Sequence, residues 1–335
     1  MTFSPYFDLH DEVVRLAGKL PLCWVGADRN RIGNFGDSLS AVVVAAMSGL
    51  PLRSQGFQAN SPRLAAIGTI GQTLRRGTVH VWGTGFDPKL RDFGDRNKAF
   101  AAAPETSYVV HAVRGAFSRQ LLLECGLHAP PIYGDPGWFL PRILHPEVEK
   151  TVELGVIPHI SALAEKSLTA GPKADQPRLQ ASAPDGVRIV NTYHEAGWDG
   201  FQAKLREILA CKRIVSTSFH GLILADAFRI PCLYFPPRLA AGPEHLALER
   251  GVPGLDHRVA DFYAGAGRRS LAAYGQPLKE ATAWDQVMAA VDAHYEPLDH
   301  PGARTLFEAF PFRRVVEFDQ PRWTVPEALM TQLPW

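Results

Sequence analysis

The chain has only four cysteines in 335 residues, and no two form a Cys-x-x-Cys pair. Cys23, Cys125, Cys211 and Cys232 lie far apart in apolar contexts, which argues against a disulfide framework or cysteine zinc site and for small buried side chains in a reducing, cytoplasmic protein. No stretch approaches the run of about 18 apolar residues that spans a membrane, and residues 1–10 lack a basic region followed by a long apolar one. Any membrane contact is therefore expected to be peripheral. Charge of one sign is missing too: 35 Lys and Arg stand against 34 Asp and Glu, a net +1, which advertises neither a nucleic-acid surface nor an acidic tail. The 12 histidines show no His-x-x-x-His spacing with nearby carboxylates, so no metal site is implied. Repeats and low-complexity tracts are also lacking.

What is present is an alternation of short apolar runs with helical patterns, the signature of parallel sheets covered on both faces. Strands are predicted at 22–26, 64–68, 79–83 and 108–113, and again at 154–158, 187–191, 213–216 and 232–235. Helical patterns fall between them at 38–48, 116–125, 199–210 and 222–228, stopped by Gly49, Gly126 or Pro231 where such a breaker follows. The length exceeds one ordinary core, so two domains of roughly 150 residues are expected. The proline-rich stretch 130–146, with Gly134-Asp135-Pro136-Gly137, supplies the boundary. We read an α/β chain with Rossmann-like domains at 1–148 and 149–300 and a tail, 301–335, that returns to brace the first. The polar stretch 162–186, with Pro172, Pro177 and Pro184, reads as a long loop with a partial helix over the cleft.

Polar constellations fall where strands hand over to helices. The most informative is Ser216-Thr217-Ser218-Phe219-His220-Gly221, which puts His220 beside a helix N-terminus, where unpaired N–H groups attract anions and an imidazole can move a proton. In Asn34-Phe35-Gly36-Asp37-Ser38, glycine permits close approach to a ligand, and Asp37 or Ser38 can cap the helix. Arg114, before Gly115 and Ser118, fits either a bidentate grip on a phosphate or carboxylate or an interdomain salt bridge. His159, leaving a strand at Pro158, fits either a catalyst or a packed, hydrogen-bonded side chain. Trp82, Trp138, Trp198 and Trp284 could stack on sugars, with core packing the simpler reading of the first two.

Five motifs in order, Asn34-Phe35-Gly36-Asp37, Val113-Arg114-Gly115 with Ser118, Tyr133-Gly134-Asp135-Pro136, Gly155-Val156-Ile157-Pro158-His159 and Phe219-His220-Gly221-Leu222, resemble the polysaccharide pyruvyl transferases, most of all the bacterial exopolysaccharide ketal-pyruvate transferases. The resemblance covers most of the chain and implies a GT-B-like fold, two Rossmann-like domains facing a cleft. It implies transfer of the enolpyruvyl group of phosphoenolpyruvate onto two sugar hydroxyls with release of phosphate, using no metal and no cofactor beyond that donor. A lipid-linked oligosaccharide acceptor at the inner face of the cytoplasmic membrane is implied as well, with the acceptor on the N-terminal side and the donor on the C-terminal side.

On this reading His220 serves the proton transfers or stabilises the departing phosphate, Asp37 or His159 takes a proton from the acceptor, and Arg114 fixes the donor. Asn34, Gly36, Ser118, Ser216, Thr217, Ser218 and Gly221 complete the binding site. One departure stands out: many relatives carry arginine two residues before the histidine of the His-Gly pair, and here that residue is Ser218. Other cations that could supply charge are Arg238, His245, Arg268 and Arg269, and residues 256–269 resemble a stretch near the cleft in relatives. The rival readings are a GT-B glycosyltransferase holding a nucleotide sugar through Glu244 or Glu249, and a non-catalytic carbohydrate-binding relative.

Overall fold

The computed structural model describes residues 7–92, 95–181 and 186–335; Pro184 and the first six residues of the N-terminal segment lie outside them. In chain order the elements of the first half are α1 (Phe7–Arg15), β1 (Leu20–Cys23), β2 (Ile32–Asn34), α2 (Phe35–Ser48), β3 (Leu52–Ser54), β4 (Arg63–Ala65), β5 (Gly77–Thr84), β6 (Lys89–Asp92), β7 (Asp95–Ala99), β8 (Thr106–Val113), α3 (Ala116–Glu124) and α4 (Leu140–Ile143). The second half holds β9 (Leu154–Ile157), β10 (Val187–Ile189), β11 (Tyr193–Glu195), α5 (Trp198–Leu209), β12 (Ile214–Ser216), α6 (Phe219–Ala227), β13 (Cys232–Tyr234), β14 (Gly242–Ala247), α7 (His257–Gly265), β15 (Ser270–Gly275) and α8 (Trp284–His294), followed by α9 (Ala303–Glu308) and α10 (Glu327–Thr331).

Two sheets carry the architecture. The first has strand order β3-β1-β4-β5-β8 and is parallel throughout. The second, β10-β9-β12-β13-β15-β14, is parallel except for β14, which pairs antiparallel at its edge. These are two Rossmann-like α/β sheets, and all eight predicted strands and four predicted helices occur, with ends moved by a few residues. The strands are short and β-branched because both faces are covered; Val79, Val81, Val113, Val156 and Ile214 are all buried.

The halves are joined by more than chain connectivity. β2 from the first pairs antiparallel with β11 from the second, Asn34 opposite Tyr193. The largest buried cluster draws on both halves and on the tail. From that tail, Leu306 O accepts the Trp82 indole N–H at 2.8 Å, Val315 N donates to Met47 O, and Arg142 donates to the carbonyls of Phe318 and Gln320. Trp335 packs against His194 and Phe201. Among the described residues no helix is long and apolar enough to cross a membrane. Cys23, Cys211 and Cys232 are buried and Cys125 is half-buried, all as free thiols.

A chain of buried imidazoles ties α1 to the first sheet. Asp8 Oδ1 lies 2.9 Å from His80 Nε2, and His80 Nδ1 lies 3.0 Å from His111 Nε2. The ionised carboxylate only accepts, so His80 carries its proton on Nε2 and accepts the His111 N–H on Nδ1. Burial, helped by neighbouring His80, pushes the His111 imidazole down to about 3; burial pushes that of His300 to about 4. Both rings are thus neutral when folded but titrate near 6.5 when unfolded, so their stabilisation is intact above pH 6.5 and is lost as pH falls. At pH 5 each costs about 2 kcal/mol, 1.5 pH units at 1.36 kcal/mol per unit. Thermal melts between pH 7 and pH 5 are expected to show this fall and to flatten in a His111→Gln, His300→Gln double variant. An unchanged slope in that variant would assign the acid sensitivity elsewhere.

Candidate active site

The loops leaving the carboxyl ends of β1, β4 and β5 in one sheet, and of β9 and β12 in the other, converge on one cavity of about 400 Å³. Open parallel sheets place ligand sites at this end because helix N-termini and the loops there leave backbone groups free to bind. Val25, Thr69 and Asp87 come from the first set of loops; His159, Ser218 and His220 come from the second.

Asn34 and Asp37 line this cavity from the start of α2. The helix begins at Phe35 rather than at Ser38, and its cap is Asn34, neither Asp37 nor Ser38: Asn34 Oδ1 accepts from Gly36 N at 3.1 Å and Asp37 N at 3.4 Å, while its Nδ2 donates to Thr192 Oγ1 at 2.8 Å. Extended backbone at Asn34 lets its side chain turn back on the first helical turn. Asp37 is thereby released from capping and faces the cavity. Desolvation raises its carboxyl above the usual carboxylate range, against the opposing charges of His220, Arg258 and Lys166. Ser38 is buried, its Oγ 2.8 Å from His194 Nε2.

His220 sits in the first turn of α6 and lines the same cavity. Its Nε2 is buried without a hydrogen bond, as is Oδ2 of Asp135, and these two atoms face each other at 3.5 Å. Asp135 is fully buried, and its other oxygen accepts Gly137 N at 2.8 Å. The histidine is from the second half and the aspartate from the first. His220 Nδ1 lies over Gly36, so close that a Cβ built there would come within 2.1 Å of it. Nε2 thus turns to Asp135 and Nδ1 packs over Gly36.

His159 also lines the cavity, but both its ring nitrogens are engaged. Nδ1 is 2.7 Å from Ser161 Oγ, and Nε2 is 3.1 Å from Arg258 NH1. Guanidinium can only donate, so Nε2 is the acceptor there, while Nδ1 also accepts Ser161 N at 3.3 Å and caps the short turn that follows. Thr217 Oγ1 accepts His159 N at 2.8 Å. Ser216 Oγ is spent within the strand-to-helix turn, near Ile157 O and Ser218 O, and accepts Ser218 N. Gly221 is required by packing, since a Cβ there would lie 2.4 Å from Ser216 Oγ. Of the Ser-Thr-Ser run only Ser218 lines the cavity, and its side chain makes no cap bond to α6.

Arg114 and Ser118 are not among the cavity's lining residues. Arg114 is fully buried and pairs with Asp261 of α7, the interdomain salt bridge that the sequence left open as its second reading. Arg238 and Glu244 pair with each other at 2.7 Å, His245 and Arg268 both approach Glu296, and Arg269 and Glu249 are likewise absent from the cavity wall. No tryptophan lines it either; Trp82, Trp198 and Trp284 are buried.

The stretch 256–269 does reach the cavity, through Asp256, His257 and Arg258, but the sequence reading did not single out Arg258, the one arginine or lysine among the described residues that line it. It stands at the N-terminus of α7 beside the N-cap Asp256, whose Oδ1 accepts Arg258 N at 2.8 Å and whose carboxylate grips the guanidinium. Burial works against the charge on Arg258, but pairing with Asp256 outweighs it and keeps the guanidinium raised above its ordinary value. Burial alone would likewise raise Asp256; its bonds to Arg258 reverse that and hold it well below the usual range. The cavity is thus lined by His159, His220, His257 and the Asp256–Arg258 ion pair from the second half, and by Asp37 and Asp87 from the first.

Comparison with known proteins agrees with the order of motifs. The chain is similar to an uncharacterized protein, L143, of Acanthamoeba polyphaga mimivirus, at 28% identity over 174 residues, 51% of this chain and 52% of that protein. It spans about half the length of this curated relative. No solved structure matches. The family model for polysaccharide pyruvyl transferase matches residues 19–237, from β1 through the loop after β13, so it takes in the Asn34, Asp135 and His220 motifs; the chain belongs to this family.

Proposed function

We propose that the protein transfers the pyruvyl group of phosphoenolpyruvate to two hydroxyls of a sugar in an exopolysaccharide or its lipid-linked precursor, making a ketal and releasing phosphate. The observation that carries this is a cavity that sets one arginine and three imidazoles of the second half opposite carboxylates of the first. The donor groups of Arg258 and the imidazoles suit a ligand with phosphate and carboxylate groups, and Asp37 suits sugar hydroxyls that must lose protons. Two sheets meeting at that cavity support the GT-B-like arrangement, with the acceptor on the N-terminal side and the donor on the C-terminal side. A lipid-linked acceptor puts the protein at the inner face of the cytoplasmic membrane.

The chemistry has four parts. C3 of the enol gains a proton, making C2 electrophilic; one sugar hydroxyl adds to C2; the C2–O bond to phosphate breaks; and the second hydroxyl closes the ketal. Of the two hydroxyl protons released, one balances that taken up at C3 and the other leaves with phosphate. His220 moves the proton to C3 and assists departure of phosphate. Asp37, its basicity raised by burial, accepts the hydroxyl proton. His159 is committed to Arg258, which makes it an orienting group for the cation and leaves Asp37 the better base. Arg258 supplies the charge that Ser218 lacks, beside the free N–H groups of α6.

Calorimetric titration and thermal shift with phosphoenolpyruvate, run beside UDP, test this reading. Phosphoenolpyruvate at 100 times its Kd is expected to stabilise the protein by about 2.7 kcal/mol. Arg258→Ala is expected to abolish the effect, with Arg258→Lys retaining part of it; the melting of the unliganded variants controls for misfolding. Stabilisation by UDP alone would replace the proposal with a nucleotide-sugar glycosyltransferase, and a response to neither ligand would favour a carbohydrate-binding relative.

A further inference from the structure

The motif Val113-Arg114-Gly115 with Ser118 is occupied by a carboxylate of the protein itself. Asp261, on α7 of the second half, is 1% exposed. Its Oδ1 accepts Phe117 N at 2.9 Å and Ser118 N at 3.0 Å, and its Oδ2 accepts Ser118 Oγ at 2.6 Å and Arg114 Nε at 3.1 Å. All four donors belong to the first half, and two of them are the unpaired amides that open α3. The backbones meet as closely as the side chains: a Cβ at Gly115 would lie 1.7 Å from Asp261 O, and one at Gly265 would lie 2.9 Å from Gly115 Cα. Such a contact allows no slack.

The same helix begins with the cation of the cavity. Arg258 and Asp261 are three residues apart on α7, neighbours on one face about 4.5 Å apart along the axis. Arg114 reaches the cavity wall indirectly as well, since NH1 donates to Thr69 Oγ1 at 2.6 Å and its guanidinium lies 5.1 Å from the centre of the Phe219 ring. Both Thr69 and Phe219 line the cavity. Elsewhere the halves are held by the β2–β11 ladder, with Asn34–Thr192 and Ser38–His194 contacts beside it, by the buried cluster that they share, and by Arg250, which donates to Phe117 O at 2.8 Å. Loss of Asp261 would therefore leave the halves joined and loosen the seat of α7 on the N-terminus of α3.

We infer that Asp261 is a positioning residue: by locking α7 to the N-terminus of α3 it sets where Arg258 and His257 stand against the carboxylate wall. Arg114 and Ser118 are the other side of this lock rather than ligands of the donor. The effect on substrate rests on the proposed pyruvyl transfer; the lock itself does not.

Hydrogen exchange followed by mass spectrometry, comparing wild type with Asp261→Asn, separates the two. Asparagine keeps the size of the side chain but replaces one acceptor oxygen by a donor facing donors. Peptides covering 115–119 and 256–263 are both expected to exchange at least about tenfold faster, and Ser118→Ala to shift them less in the same direction. Faster exchange confined to 115–119, or none, would overturn the lock between the two walls. Calorimetry with phosphoenolpyruvate is expected to show about a tenfold loss of affinity in Asp261→Asn and none in Asp8→Asn, which breaks a polar tie away from the cavity. Unchanged affinity in Asp261→Asn would overturn the positioning role. Absence of binding by the wild type would remove the pyruvyl-transfer reading, while exchange would still decide the lock.

Discussion

Replacing His220 by alanine is expected to lower kcat/KM by a factor of about 10² to 10⁴, measured as phosphate release from phosphoenolpyruvate with a polysaccharide acceptor. This is the usual worth of one general acid–base group, about 3 to 5 kcal/mol of transition-state stabilisation. Asp135→Asn is expected to fall in the same range although it touches no substrate. Asp135 is fully buried, and its unpaired Oδ2 has His220 Nε2 as its facing group at 3.5 Å. That spacing is longer than a formed hydrogen bond, as resting catalytic pairs often are before substrate tightens them. A carboxylate there holds Nε2–H, sets the ring over Gly36 and stabilises the imidazolium formed in proton transfer. An amide of the same shape can do the first of these in only one of its two orientations and cannot do the last.

The double variant decides whether the two act as a unit. If they do, combining His220→Ala with Asp135→Asn costs no more than the worse single change, because the aspartate has nothing left to orient. Losses that multiply would assign Asp135 a separate role, and a single variant retaining activity within a few-fold of wild type would remove that residue from the mechanism.

What the sequence disclosed about this site, and what it did not, follows from distance along the chain. Runs such as Val79 to Trp82 and Ile214 to Ser216 announce buried parallel strands because burial on both faces demands continuous apolar side chains, so both sheets were legible. β2 and β11 were not: three residues each, including Gly33 and His194, they carry no alternation of their own and exist because they pair with each other across the halves. His220 and Asp37 stand at strand-to-helix junctions, where local chemistry points to ligands. Arg114 stands at such a junction too, and nothing near it tells whether its anion is a substrate or Asp261. Asp135 was visible as part of a motif but without a role, since its partner lies in the other half. Arg258 falls inside the stretch 256–269 that resembles one near the cleft in relatives, but nothing in its local sequence singles it out; the packing of α7 brings it to the cavity.

Gly36→Ala is the sharpest test that these separated pieces form one site. Gly36 lies inside α2, where alanine should favour the helix by roughly 0.5 to 1 kcal/mol. The three-dimensional surroundings predict the opposite. A Cβ at this position would come within 2.1 Å of His220 Nδ1 and 2.6 Å of its Cγ, far inside any tolerated contact. Retreat is blocked by Asp135 on the Nε2 side and by the Phe219 ring, centred 4.9 Å away, so the ring can yield only into the cavity and off its pairing with Asp135. Overpacking of this kind typically costs 1 to 3 kcal/mol, so the variant is expected to fold with a lowered melting temperature. Its activity is expected to fall by about 10² or more, as in His220→Ala, because the ring is pushed off the position from which it meets the substrate. Removing the ring should relieve the clash: in a His220→Ala background the Gly36→Ala change is expected to restore most of the lost stability while activity stays low. Equal destabilisation in both backgrounds would show that the glycine serves α2 alone, and that His220 does not stand over it in solution.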